Sequence, residues 1–193
     1  MPALNIAVIL GTVRTARVGP RVATYLLRAL EGRGHAATLV DPVDYALPLL
    51  DKMYKEYPPG QAPAGLERLA GVVKAADAYL IVSAEYNHSI PPALSNLLDH
   101  FLEEYRFKPS AIACYSPSTF GGVRAAMQLR AMLPEMGMAS IPSLLPFPKV
   151  LDALDPDGHP TDDRLAKSTG RFLDEFEWYA HALKTARATG TPY

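Results

Sequence analysis

The 193-residue chain has a single cysteine, Cys114, so it can form no internal disulfide, and one thiolate cannot build a metal centre alone. A reducing compartment follows as the default setting. An excess of one charge is also missing: 19 Lys and Arg stand against 20 Asp and Glu, a formal net charge of -1. Proteins that grip nucleic acid through its phosphates carry a basic excess, so that class of partner is excluded. No apolar stretch approaches the length of a bilayer-crossing helix, which excludes a membrane span. The opening MPALNIAVIL lacks a basic segment and a small-residue cleavage site, so no secretory leader is expected and the chain reads as cytoplasmic. Three signatures are absent as well: G-x-x-x-x-G-K-[ST], G-x-G-x-x-G and G-x-S-x-G. Their absence argues against a P-loop nucleotidase and a dinucleotide-binding first loop. It also argues against a hydrolase triad built from Ser116, His88 and Asp99.

What is present is a core-forming composition, 49% hydrophobic, laid out as apolar runs alternating with helical periodicity. NIAVIL (5–10), AATLVD (36–41), AYLIVS (78–83) and AIACYS (111–116) read as strands. MASIPSL (138–144) is a weaker fifth, its proline tolerable only at a sheet edge. The continuous β-branched and aliphatic character of the first run suits a strand buried on both faces. Helical spacing appears after Pro20 (Val22, Leu26, Leu30), after Ala64 (Leu66, Leu69, Val73), over 93–107, over 123–136 and over 164–188. Such β-α alternation predicts an α/β fold with a parallel sheet and right-handed crossovers. The connection 42–63 is too long for an ordinary loop, and a functional or partner-contact role is expected for it.

Ligands of doubly wound sheets bind beyond the carboxyl ends of the strands, where strand order reverses. Three loops leave those ends with unusual chemistry: 11–20, 84–92 and 116–122. In the first, GTVRTARVGP, an apolar strand runs into Gly11, Arg14, Arg17 and Gly19. Backbone N–H groups at a helix N-terminus, hydroxyls from Thr12 and Thr15 and two guanidinium groups suit a small anion such as phosphate. A solvated loop with arginines paired to surface acids is the plainer alternative. The second loop carries Tyr86 among amide and hydroxyl groups and suits a planar heterocycle. The third sets Phe120 beside Gly121 and Gly122. For both, tight turns capping the next helix are the plainer alternative.

Together these segments resemble the NAD(P)H-dependent FMN reductase family. GTVRTARVGP is close to that family's G-[ST]-x-R-x-x-[RS] loop. SAEYNHSIPPALSNLLDHF (83–101) is close to its P-E-Y-N-x-S-x-P-x-x-L-K-N-x-x-D segment, with Ala84 and Ser95 departing from the usual proline and lysine. YSPSTFGGVRAAMQLR (115–130), YALPLLD (45–51) and DPDGHPTDDRL (155–165) resemble further family segments. The resemblance implies one flavodoxin-like domain over 1–193, with a doubly wound five-stranded parallel sheet in the order 2-1-3-4-5 and helices on both faces. It implies FMN as cofactor and NADPH or NADH as electron donor. It also implies ping-pong hydride transfer to a small-molecule acceptor: a quinone, an azo compound, free flavin or an oxidised metal ion.

Carried onto this chain, Thr12, Arg14, Arg17, Val18 and Gly19 would hold the FMN phosphate. Glu85, Tyr86, Asn87 and His88 would line the ring system, much of it through backbone groups. Ser116, Ser118, Phe120 and Gly121 would border the ribityl chain or the ring. The cofactor carries the difficult chemistry, so no catalytic side chain and no metal ligand is assigned. A homodimer or homotetramer is implied, with the 93–107 helix and the 42–63 connection as candidate contacts.

Other tempting residues have plainer readings. Asp152, Asp155, Asp157 and His159 miss the spacing of a calcium loop, and a D-G turn explains them. Cys114 lies in an apolar run and reads as packing. Phe172, Phe176, Tyr179 and Leu183 repeat at helical spacing, as core or subunit interface. Two other functions compete with the reductase: a flavin-binding redox sensor or carrier without turnover, and a phosphate-ester or nucleotide enzyme that binds no flavin.

Overall fold

In the computed structural model, which describes residues 2–193, every apolar run becomes a strand. The chain runs β1 (Asn5–Leu10), α1 (Gly19–Glu31), β2 (Ala36–Val40), a short α2 (Pro42–Tyr45), α3 (Ala64–Ala75), β3 (Ala78–Ala84) and α4 (Pro92–Asp99). It continues through β4 (Pro109–Tyr115), α5 (Val123–Glu135), β5 (Ala139–Phe147), a short α6 (Val150–Ala153) and α7 (Asp163–Ala188). The strands form one parallel sheet in the order β2-β1-β3-β4-β5, the flavodoxin-like arrangement. The order reverses beside β1, which pairs with β2 on one side and β3 on the other.

Strand period two explains why the central runs are apolar throughout. Ile6, Val8 and Leu10 of β1, with Leu80 and Val82 of β3, pack into the layer holding Leu26 of α1 and Phe172 and Phe176 of α7. Ala7 and Ile9, with Tyr79 and Ile81, pack into the opposite layer against Leu69 of α3, Leu97 of α4 and Leu129 of α5. The aromatic stripe of α7 is therefore largely core, with Tyr179 packed at its margin. Cys114 is fully buried in β4, and burial pushes its thiol up to about 12.

Several boundaries differ from the sequence expectation. The helix expected over 93–107 stops at Asp99, and a 3-10 turn follows at Glu103–Tyr105. Leaving the helix buries Phe101 and Tyr105. Tyr105 stands edge-on to Tyr79 with ring centroids 5.1 Å apart, and Phe101 edge-on to Tyr105 at 6.2 Å. β5 runs on to Phe147 and includes both Pro142 and Pro146, tolerated because it pairs only with β4. The connection after β2 contains α2, capped by the Asp41 carboxylate accepting from Val43 N at 3.0 Å. Its middle is tied to α4 by Asn96, which accepts from Leu50 N at 2.9 Å and donates to Pro48 O at 2.8 Å. The Asp155–His159 stretch is a turn in which Asp155 Oδ1 accepts from the N–H groups of Asp157 and His159. No helix among the described residues is long and apolar enough to cross a membrane.

Candidate functional site

The loops after β1, β3 and β4 meet at the carboxyl edge of the sheet and, with α6 after β5, enclose a cleft of about 290 Å³. The loop after β1 contributes Thr12, Arg14, Ala16, Arg17 and Val18. Within this loop the N–H groups of Val13, Arg14, Thr15, Ala16 and Val18 donate no hydrogen bond to the described residues. The loop runs into α1, whose N-cap Val18 provides no side-chain cap and whose first turn holds no acidic residue. This is a row of unspent donors at the positive end of a 13-residue helix.

The two arginines of the loop have different jobs. Arg17 makes a bidentate pair with Asp41 at 2.7 and 2.5 Å and donates to Thr12 O at 2.5 Å. Its charge is committed to the scaffold, and its guanidinium is held protonated chiefly by that hydrogen bond to Asp41. Arg14 is exposed and makes no ion pair among the described residues; its guanidinium lies 6.0 Å from the centre of the Tyr86 ring. Gly19 does not line the cleft but sits behind it. A Cβ there would fall 2.5 Å from Tyr115 Oη and 2.6 Å from Leu10 Cδ1. Glycine is what lets the start of α1 close onto β4. Thr12, 2% exposed, places Oγ1 3.3 Å from the same tyrosine oxygen.

The second loop folds into a tight turn. Tyr86 and Ser89 exchange backbone hydrogen bonds at 3.0 and 2.9 Å, and the residues between them, Asn87 and His88, have φ of 51° and 61°. Two successive left-handed residues define a type I′ turn, and asparagine and histidine are among the side chains that tolerate that region. Tyr86 lines the cleft, whereas Asn87 and His88 are exposed at the tip. Their N–H groups, like those of the first loop, donate no hydrogen bond within the described residues. Glu85 lines the cleft too, but its carboxylate is engaged: it accepts from Arg124 N at 3.0 Å, capping α5, and pairs with the Arg124 guanidinium at 3.4 Å.

In the third loop Ser116 lines the cleft, and its Oγ lies 2.9 Å from Ser118 Oγ, which itself falls outside the lining. Ser116 thus engages Ser118 rather than His88. Phe120 also lies outside the lining, 55% exposed, with the Arg124 guanidinium 4.2 Å over its ring. Gly121 is buried behind the loop at φ 62°, where a Cβ would meet Pro148 N at 2.9 Å.

Sequence reasoning missed Tyr115, Pro117, Val150 and Leu151, all of which line the cleft. Tyr115 ends an apolar strand and looks like core until its hydroxyl is seen beneath the first loop. Burial pushes that hydroxyl up to about 12, against the opposing hydrogen bonds from Thr12 and Gly19. Val150 and Leu151 come from a short helix hidden in the linker. With Arg17 and Glu85 paired and Tyr115 neutral, the lining holds no free acid or base suited to proton transfer near neutral pH. The cleft thus combines unpartnered N–H groups on its first loop, apolar walls and one uncommitted cation, and its lining supplies no redox group of its own.

The sequence model of the family described as NADPH-dependent FMN reductase matches residues 4–152. Among curated proteins, an NAD(P)H-dependent FMN reductase from Nectria sp is 32% identical over 156 residues, 74% of this chain and 75% of that one. A quinone reductase from Escherichia coli (strain K12) is 29% identical over 134 residues, 67% of this chain and 69% of that one. Among solved structures, FerB, a flavoenzyme NAD(P)H:(acceptor) oxidoreductase from Paracoccus denitrificans, superposes with a TM-score of 0.76 at 25% identity, covering 93% of this chain and 98% of its own. A flavodoxin from Pseudomonas aeruginosa, 17% identical with a TM-score of 0.57 over 93% of this chain and 98% of its own, shares the fold. The matched span runs from β1 into α6 and takes in every loop of the cleft, and the chain belongs to the NADPH-dependent FMN reductase family of oxidoreductases.

Proposed function

We propose that the cleft binds FMN and that the protein is an NAD(P)H-dependent reductase of a small-molecule acceptor. The observation that carries this reading is the row of unspent N–H groups over residues 13–18, at the uncapped start of α1 and beside the unpaired Arg14. A phosphate fits that donor set, because each N–H needs an acceptor and the helix end favours negative charge. Thr12 and Thr15 add hydroxyl donors, while Arg17 braces the loop through Asp41 and Val18 and Gly19 lead it into α1.

The unspent N–H groups of Asn87 and His88 fit the carbonyl-bearing edge of a flavin ring. Tyr86, Val150, Leu151 and Pro117 supply flat and apolar walls, and Ser116 a hydroxyl toward the ribityl chain. FMN held there by these residues would supply hydride chemistry between NADPH or NADH and a quinone, azo, flavin or metal-ion acceptor, in alternating half-reactions. The chain's own residues bind, orient and exclude water; Arg14 and the loop N–H groups favour an anionic ligand without any proton transfer.

Visible absorption of the purified full chain tests this reading, before and after addition of FMN and then of NADPH or NADH without oxygen. A protein-bound flavin spectrum that bleaches with either donor is expected. A flavin that binds but resists both donors would favour the carrier reading, and no binding at all would overturn the assignment.

We also infer that the chain pairs with a second copy of itself through the face around the 42–63 connection and α4. Val13, Val43 and Leu49 are exposed there, Leu49 at 83%, around an apolar recess lined by Ala46, Leu47, Ala93 and Leu97. Light scattering on Leu49→Asp beside the unmodified chain tests it. The lone, buried Cys114 is consistent with work in the reducing cytoplasm.

A further inference from the structure

The turn at the ring side of the cleft is held from outside the cleft. Gln128, on the exposed face of α5, reaches across with both ends of its amide. Its Nε2 donates to His88 O at 2.8 Å, and its Oε1 accepts from Ser89 Oγ at 2.7 Å. The residues it grips need help. Asn87 and His88 both sit in the left-handed region, and among the described residues only the Tyr86–Ser89 backbone pair closes the turn otherwise. Asparagine and histidine tolerate such backbone angles but do not prefer them. The root of the same segment is fixed to the same helix, because the Glu85 carboxylate caps the first turn of α5. One rigid helix therefore holds the loop at two points, and the two N–H groups left unspent belong to the turn that it grips.

We propose that Gln128 is a positioning residue for flavin: it holds the Asn87–His88 turn so that its N–H groups stay aimed at one place. The inference rests on the flavin reading given above. Gln128 does not line the cleft and touches no ligand there; it acts through the turn. Preorganised donors bind more tightly than donors that must first be ordered. Without its two hydrogen bonds the turn samples other shapes, and binding must restore the right one. The side chain is exposed, so its loss leaves the fold intact.

The test compares the full chain, Gln128→Leu and Gln128→Glu, each stripped of flavin. FMN affinity is read by fluorescence titration, and the turn by amide hydrogen exchange at Tyr86 and Ser89. For Gln128→Leu the FMN dissociation constant rises about three- to tenfold, the worth of one to two net hydrogen bonds. Exchange at the turn amides accelerates, while the melting temperature stays unchanged. Gln128→Glu keeps the acceptor for Ser89 but loses the donor to His88 O, and falls between.

Unchanged affinity in Gln128→Leu overturns the proposal. So does faster exchange with unchanged affinity, since the clamp would then serve the turn but not the ligand. If the unmodified chain takes up no FMN, the functional reading itself falls, and the exchange comparison alone decides whether Gln128 holds the turn.

Discussion

Replacing Gly19 with alanine tests the close approach on which the cleft depends. Gly19 has an ordinary helical backbone, so alanine brings no conformational strain and even gains about 0.5–1 kcal/mol from a stiffer unfolded chain. Space opposes it. The added methyl falls 2.5 Å from Tyr115 Oη, 2.6 Å from Leu10 Cδ1 and 3.0 Å from Thr12 Oγ1. Leu10 is fully buried and Tyr115 is 5% exposed, so neither has an open place to move. Overpacking of that kind destabilises by about 1–3 kcal/mol. Displacing the tyrosine also breaks its contact with Thr12 at 3.3 Å, a further loss of about 1 kcal/mol. The net expectation is a loss of about 2 kcal/mol, or about 4–8 °C in melting temperature for a chain of this size.

Urea denaturation of four proteins measures it: the unmodified chain, Gly19→Ala, Tyr115→Phe and the double variant. Tyr115→Phe alone loses about 1 kcal/mol, because Thr12 Oγ1 is left without its partner. In the double variant the nearest colliding oxygen is gone, so the combined loss falls short of the sum by about 1 kcal/mol. Tyr115 lines the cleft, so Gly19→Ala also weakens FMN binding, and the double variant recovers part of it. A Gly19→Ala protein as stable as the unmodified chain would refute the packing argument. Strict additivity in the double variant would refute the role given to the tyrosine hydroxyl.

The two loop arginines separate by assay. Arg14→Ala raises the FMN dissociation constant in a fluorescence titration and leaves thermal stability nearly unchanged, since Arg14 is exposed and makes no ion pair among the described residues. Arg17→Ala weakens FMN binding and also lowers thermal stability, because Asp41, its side chain only 10% exposed, loses its partner; the stability loss is about 2 kcal/mol, and Asp41→Asn in the same protein restores part of it. Glu85→Gln keeps an acceptor at the start of α5 but surrenders the charge facing Arg124 and the helix end. It loses about 1 kcal/mol in urea and weakens FMN binding through the shifted turn.

Alkali destabilises the fold, as a pH series of melting temperatures will show. Burial raises the hydroxyls of Tyr79, Tyr105 and Tyr115 and the thiol of Cys114, so the unfolded chain releases these protons first. Their contribution is intact below about pH 9 and is lost as pH climbs toward 12. Lys108 runs the other way. Burial draws its ammonium down to about 8, so the penalty of keeping it charged is present below that pH and relieved between 8 and 10.5. The melting temperature is expected to hold or rise slightly from pH 8 to 9 and then fall. A steady rise through pH 11 would contradict the burial of these groups.

The sheet was legible in the sequence because its signals are local. NIAVIL, AYLIVS and AIACYS are almost wholly apolar because both faces of these strands are covered, whereas the strand order came from the family resemblance rather than from these local signals. The convergence of the loops after β1, β3 and β4 at one sheet edge was legible for the same reason. What escaped were relations between loops distant in sequence. Nothing near Arg17 announces that Asp41, 24 residues on, will take its charge. Nothing in the E-Y-N segment announces that Glu85 caps a helix 39 residues later. Tyr115 hid because a tyrosine at the end of an apolar strand looks like core, and it is core apart from one oxygen. One signal was available: Asn and His in succession between Tyr86 and Ser89 suit the two left-handed positions of a type I′ turn.

These misses share a pattern that changes how the loop after β1 is understood. Its arginines look like a cationic trap, yet Arg17 is spent on Asp41, Glu85 is spent on Arg124, and only Arg14 faces the cleft uncommitted. The charges that seemed to be for the ligand mostly hold the walls. Under the proposed reading, what remains for an anion is the set of unpartnered loop N–H groups, held in place as Gly19, Tyr115, Asp41 and Glu85 fix the surrounding loops. A cation on a flexible side chain can follow a ligand wherever it sits; a backbone donor cannot. On the proposed reading, preference for a phosphate-bearing ligand would reside in the packing beneath the loops as much as in the residues that touch the cleft, and a methyl group at Gly19, outside the lining, is expected to be felt inside it.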